Sequence, residues 1–141
     1  MKNCLVRPTL VLVCLVLVAL PLFAQRGRGG GGSTGCAIVT TPTVSSSTAT
    51  AGGDSVGIFS RITNCSSGKG RYTVMISAVS SCGVETVIAS SVISFSGGES
   101  KLVSIAYSVA PDTCKGMSTV YVSAYSGSTM LASQSTGLVV E

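Results

Sequence analysis

The stretch GGDSVGIFSRITNCSSGKGRYTVMIS, Gly52–Ser77, decides the fold, because it contains two alternating segments on either side of a short loop. The residues that share one face are Val56, Ile58, Ser60 and Ile62 in the first segment, and Tyr72, Val74 and Ile76 in the second, which continues to Ala78 just beyond the quoted stretch. A period of two is typical of a β-strand with one buried and one exposed face. The stretch therefore predicts two half-buried strands joined by the loop NCSSGKG.

The same pattern continues outward from this stretch, with short apolar alternations separated by clusters of Gly, Ser, Asn or Pro. We predict strands at Ala37–Ala49 (continuous or broken), Ser55–Asn64, Arg71–Ser80, Glu85–Phe95, Lys101–Val109, Ser118–Tyr125 and Thr129–Val140. The fourth is expected to hold a bulge between Ala89 and Val92, where its alternation slips. This spacing predicts an all-β fold, a seven-stranded immunoglobulin-like β-sandwich, with an up-and-down barrel as the alternative.

The N-terminal segment predicts a signal peptide over residues 1–24. Lys2 and Arg7 flank the start of an apolar run, Leu10–Phe23, which is short for a membrane span and is interrupted by Pro21. This pattern favours a cleaved secretory signal over an uncleaved anchor. We therefore expect an exported protein, located outside the cell, at its surface or in the periplasm, with no membrane insertion after cleavage.

A flexible Arg/Gly-rich linker is predicted over residues 25–35, followed by one domain over residues 36–141. Cys36 lies beyond the RGRGGGG segment, whereas a lipidated cysteine must directly follow the apolar run. We therefore expect Cys36 to be unlipidated.

The cysteines of the predicted domain are Cys36, Cys65, Cys82 and Cys114. An even number in a short exported chain predicts two disulfides, for which three pairings are possible. Alternating strand directions favour Cys36–Cys65 at one end of the domain and Cys82–Cys114 at the other. Each bridge closes a loop of about thirty residues and is worth roughly 3–4 kcal/mol in the chain-entropy model. No metal is expected, since the chain has no histidine and no C-x-x-C pair.

Turn residues over about 43–127 resemble those of the bacterial cell-adhesion-related domain known as CARDB. The matching positions are Gly53 and Asp54 before the second strand, Asn64 at its end, the turn Gly97–Ser100, and Gly116 before the sixth strand. The resemblance implies an immunoglobulin-like fold and brings no catalytic residue with it. The sixth strand lacks the aromatic residue that the family pattern has soon after this glycine, and the four cysteines are not part of that pattern.

Nothing in the chain is arranged for catalysis, so we expect no enzyme, no catalytic residue and no cofactor. The chain lacks histidine and a G-x-S-x-G motif. The carboxylates each lie next to a turn, which predicts turn capping, at Asp54, Glu85, Glu99, Asp112 and Glu141. Seven basic and five acidic side chains follow residue 24. This small excess of positive charge does not indicate a surface that binds nucleic acid.

These observations predict a secreted or cell-surface structural module of the adhesion type, acting through contacts with another surface or secreted protein. The contact elements are expected at the sheet edges, Ala37–Ala49 and Thr129–Val140. The alternative is an extracellular module that binds glycan or calcium, with Phe59, Tyr121 and Tyr125 as the aromatic candidates. Asn64–Ser66 also fits an N-glycosylation sequon. The sequence predicts neither ligand-binding residues nor an oligomeric state.

Overall fold

The computed structural model describes residues 35–141, so the predicted leader and all but the last residue of the predicted linker lie outside the described residues. The described part is all-β and contains no helix. Its nine strands are β1 (Ala37–Val39), β2 (Thr43–Val44), β3 (Thr48–Ala49), β4 (Ser55–Asn64), β5 (Gly70–Val79), β6 (Glu85–Phe95), β7 (Ser100–Ser108), β8 (Gly116–Ser126) and β9 (Thr129–Val140).

The predicted first strand, Ala37–Ala49, is broken into three, which raises the number of strands from seven to nine. Pro42 lies between β1 and β2 and, having no backbone N–H, cannot donate to a strand ladder. After β2 the chain bends at Ser45 and Ser47, and the hydroxyl of Ser46 between them donates to the Thr48 carbonyl at 2.6 Å. β3 then pairs with β9, so the segment passes from one sheet to the other.

The strands form two sheets. In the four-stranded sheet, β4 pairs along its length with β7 and, on its other side, with β1 and then β2, all antiparallel. The five-stranded sheet has the order β3-β9-β8-β5-β6, in which only the short β3–β9 pair is parallel. Both sheets contribute to one hydrophobic core.

The inner faces follow the predicted alternation. The buried residues that confirm it are Val56, Ile58, Ser60, Ile62, Tyr72, Val74, Ile76 and Ala78. The other buried residues with the same alternation are Val109, Val120, Val122 and Ala124. Val103, Ile105 and Tyr107 of β7 pack against this core but are only partly buried. We attribute their exposure to the position of β7 at the edge of its sheet, where one flank has no neighbouring strand.

β6 contains the expected bulge, but at a different residue. Ile76 of β5 pairs with Ala89, while the next residue, Ser77, pairs with Val87, so the extra residue is Ile88. The predicted position, between Ala89 and Val92, is therefore too close to the C-terminal end of β6. One extra residue moves each following side chain to the opposite face of the sheet. The apolar alternation therefore looks irregular after the bulge as well as at it.

Candidate interaction surfaces

The two disulfides lie at opposite ends of the strands, in the pairing that the strand directions favoured. Cys36 and Cys65, with Cα atoms 5.0 Å apart, join the start of β1 to the end of β4. Cys82 and Cys114, with Cα atoms 6.0 Å apart, join the β5–β6 turn to the β7–β8 connection. Disulfides persist in oxidising compartments, so this pair of bridges indicates such an environment.

Asn64, the first residue of the sequon, is fully buried beside the Cys36–Cys65 disulfide. Its Nδ2 donates to the carbonyls of Gly68 (2.8 Å) and Ser96 (3.0 Å). Its Oδ1 accepts from the backbone N–H of Ser66 (3.1 Å) and from the Ser66 hydroxyl (2.6 Å). The Tyr72 hydroxyl lies 2.7 Å from the same oxygen. The side chain thus joins two loops to β5, and in the folded protein its amide is not free for a glycan.

Two of the five carboxylates confirm the turn-capping prediction. Asp54 Oδ2 accepts from the Thr50 backbone N–H at 3.0 Å, and hydrogen bonds from Thr50 lower the pKa of Asp54. Glu99 Oε2 accepts from the Ser96 N–H at 2.6 Å, which lowers the pKa of Glu99, with a smaller contribution from the positive charge of Lys101. Both carboxylates hold tight turns.

The aromatic candidates do not form one platform. Phe59 is exposed on the outer face of β4, in the four-stranded sheet. Tyr121 and Tyr125 lie on β8, in the five-stranded sheet. Tyr121 is exposed and Tyr125 is half-buried. Phe59 and Tyr121 therefore belong to different sheets, whereas a sugar-binding platform needs its rings on one surface.

Clustered metal-ligating side chains are also lacking in the part of the chain that the structure describes. Within residues 35–141, no group of three or more His, Cys, Asp or Glu side chains is placed to hold a metal ion. The same residues include no helix long and apolar enough to cross a membrane.

The sheet edges expected from the sequence are partly those observed. β1, β2 and β3 lie at edges, and β9 has an open edge for most of its length, because β3 pairs only with Val139 and Val140. The opposite edges of the two sheets are β6 and β7, which were not among the edges expected from the sequence. Among the described residues, β6 pairs on one side only, with β5.

The free edge of β6 is open to a further strand at Ser90 and Val92, while the ammonium group of Lys101 occupies it at Ser94. From Thr86 to Phe95 it has no charged residue and no proline, which are the usual protections of an edge. Lys101 Nζ donates to the Ser94 carbonyl at 2.6 Å, so this carbonyl points away from β5. In an antiparallel pair, residues two apart have their N–H and C=O groups on the same side. Ser90 and Val92 therefore also present their backbone groups away from β5.

Apolar side chains flank this edge on the outer face of the five-stranded sheet. Val92 and Val87 of β6 are 54% and 56% exposed. Ser77 lies between Val87 and Tyr121 in one cross-strand row, so the apolar surface extends inward from the edge. We call Ala89–Phe95, the regular stretch that follows the bulge, the β6 edge.

A comparison with known protein families found no match for the chain, and a comparison with curated proteins found none either.

Solved structures share the fold at low sequence identity. A β-glucosidase from Erythrobacter marinus is 11% identical with a TM-score of 0.61, over 76% of this chain and 16% of that chain. The alkylpurine DNA glycosylase AlkC of Pseudomonas fluorescens, bound to DNA with an abasic site analogue, is 12% identical with a TM-score of 0.62, over 74% and 30%. This chain thus spans less than a third of either protein.

A structure of similar size also matches. The CARDB domain of the PF1109 protein from Pyrococcus furiosus, in complex with di-metal ions, is 11% identical with a TM-score of 0.59, over 76% of this chain and 89% of that chain. The resemblance seen in the turn residues thus has a structural counterpart at weak similarity. At these identities the likeness shows the fold alone.

Proposed function

We propose that this chain is an exported, non-enzymatic interaction module of the adhesion type, which binds another surface or secreted protein by adding a strand of that partner to the β6 edge. The observation that carries the proposal is the open backbone of Ser90 and Val92, in the part of β6 that has no charged residue, Thr86–Phe95. In strand addition, backbone hydrogen bonds supply affinity and alternate side chains supply specificity.

The fold that we propose for this role is an immunoglobulin-like sandwich. β1, β2 and β3 count together as one broken strand that passes between the sheets, which gives seven strands. The two disulfides support a location outside the cytoplasm. The disulfides cross-link loops at both ends of the domain, so the β6 edge belongs to a rigid scaffold.

The proposal is tested by comparing how much partner protein is retained by a variant of the β6 edge and by its matched control. Val92→Pro removes a backbone N–H that points away from β5, and proline is tolerated at edge strands. Val92→Ala changes only the side chain. We expect wild-type protein and Val92→Ala to retain one defined partner from envelope and secreted fractions, and Val92→Pro to lose it while keeping its melting temperature within a few degrees.

The opposing outcomes are equally specific. Equal capture of the partner by Val92→Pro and wild-type protein would contradict binding at this edge. A melting temperature that rises with calcium or a polysaccharide, without any captured protein, would favour the ligand-binding alternative, because ligands of the native state raise its stability.

A further inference from the structure

The outer face of the five-stranded sheet is apolar and almost uncharged. Five of the nine large hydrophobic residues that are exposed within residues 35–141 lie on this face, with exposed fractions of 36% to 62%. They are Val87 and Val92 of β6, Met117 and Tyr121 of β8, and Met130 of β9. The five strands contain two charged residues, Arg71 and Glu85. An exposed apolar patch on a folded domain is typical of an interaction site.

This face repeats one row of side chains on either side of Met75, the middle residue of β5 on that face. Each row crosses three strands and consists of a valine from β6, a small hydroxyl residue from β5 and a tyrosine from β8. The members are Val92, Thr73 and Tyr125 in one row, and Val87, Ser77 and Tyr121 in the other. A two-fold axis across the strands at Met75, in the plane of the face, would lay each row of one copy over the other row of a second copy. The face is thus complementary to itself, as a two-fold interface requires.

The two charged residues lie on this face at opposite ends of β5. Arg71 is on β5 itself, and Glu85 pairs with Val79 at the other end. The two levels are eight residues apart, about 27 Å at the rise of a strand, so the two side chains cannot reach each other within one chain. The ion pair formed within residues 35–141 joins Lys101 to Glu99 instead. The same two-fold axis brings Arg71 of each copy to the end of the face where Glu85 of the other copy lies, so the charges are complementary as well.

We propose that two copies of this chain associate face to face through this surface, with their strands antiparallel, Tyr121 of each copy over Tyr125 of the other and Arg71 beside Glu85. The four longest strands of the sheet, at about 4.8 Å spacing and about 27 Å in length, cover about 500 Å² on each copy. The total of about 1,000 Å² is the lower limit of a specific interface, so we expect reversible association with a dissociation constant of micromolar order. The second copy covers the face and leaves the backbone of the β6 edge open, so the dimer does not depend on the proposed adhesion function.

Sedimentation equilibrium of the intact, oxidised protein, at concentrations from about 1 μM to about 1 mM, measures this association. Tyr121→Lys places an unpaired charge inside the interface and should weaken dimerisation more than tenfold. Phe59→Lys is the matched control on the outer face of the other sheet, because Phe59 is 38% exposed and Tyr121 is 36% exposed. The control should leave the dissociation constant unchanged. Melting temperatures close to that of the wild type would show that both variants are folded.

Exchanging the two charges tests the antiparallel arrangement. Arg71→Glu and Glu85→Arg each bring like charges together and should weaken dimerisation about threefold to tenfold. The double variant pairs the charges again with their signs exchanged, so its dissociation constant should return to within about twofold of the wild-type value. Protein that stays monomeric at the highest concentration would overturn the proposal. So would a dimer that Phe59→Lys weakens and Tyr121→Lys does not, or a double variant that associates no more tightly than the single variants.

Discussion

Replacing Asn64 by alanine removes the hydrogen bonds by which one buried side chain joins two loops to β5. Two bonds donated by Nδ2 and three accepted by Oδ1 are lost, of which the one from Tyr72 is buried and the others are partly buried. Water can replace some partners at the loop surface. At about 0.5–1.5 kcal/mol net for each bond, we expect a loss of roughly 3–5 kcal/mol in the free energy of unfolding.

Tyr72→Phe is the control that isolates one of these bonds. The Tyr72 hydroxyl has a single proton and lies within reach of Asn64 Oδ1 and of the Cys36 carbonyl, at 2.7 Å and 3.1 Å. Its removal should cost about 1–2 kcal/mol. The double variant should lose about 1 kcal/mol less stability than the sum of the two single variants, because both single variants remove the same contact.

Urea denaturation with both disulfides oxidised measures all three variants. A loss below 1 kcal/mol for Asn64→Ala would refute the reasoning, because it would mean that solvent satisfies these groups as well as the side chain does. Strict additivity of the two single variants would show that the Tyr72 hydroxyl does not act through Asn64.

Further predictions concern the stability of the domain. Replacing Cys82 and Cys114 together by alanine should lower the free energy of unfolding by about 4 kcal/mol in the chain-entropy model, and an unchanged denaturation midpoint would contradict this. The lowered pKa of Asp54 means that its contribution is present above the ordinary value of 3.8 and is lost as pH falls through the folded-state pKa. Asp54→Asn should therefore flatten the acid limb of a melting-temperature profile, and an identical limb in both proteins would argue against the cap. Gly97→Ala should be destabilising by more than 1 kcal/mol, because its Cβ would collide with a loop carbonyl. Gly68→Ala, where a Cβ meets nothing, should change stability by less than half of that, and equal effects in calorimetry would refute the steric argument.

The sequence predicted the features that depend on local patterns. The period of two in β4 and β5 gave the inner faces correctly, since one side of each strand is buried whatever the strand order. The disulfide pairing followed from strand directions, because consecutive antiparallel strands fix which loops share an end. Pro42 accounts for the break in the first segment, whose continuity the prediction left open, but the passage of β3 to the other sheet left no local signal.

The candidate sites depended on long-range pairing and were missed for that reason. An edge is defined by the absence of a neighbour, which the residues of β6 do not encode by themselves. Ser118 follows the same alternation as Val120 and Val122, so its inward direction was readable. Its lack of a hydrogen-bond partner within residues 35–141 is a property of the folded structure, which the alternation does not predict.

Amide hydrogen exchange on the captured complex tests the proposed strand addition most directly. In the free protein, the amides of Ser90 and Val92 should exchange quickly, while those of Ser91 and Ile93, which face β5, should be protected. Binding of the partner should slow the exchange of the Ser90 and Val92 amides at least tenfold, with little change in the exchange rates of the β4 amides. Protection confined to β4, β7 or β9, with Ser90 and Val92 still exchanging quickly, would contradict binding at the β6 edge.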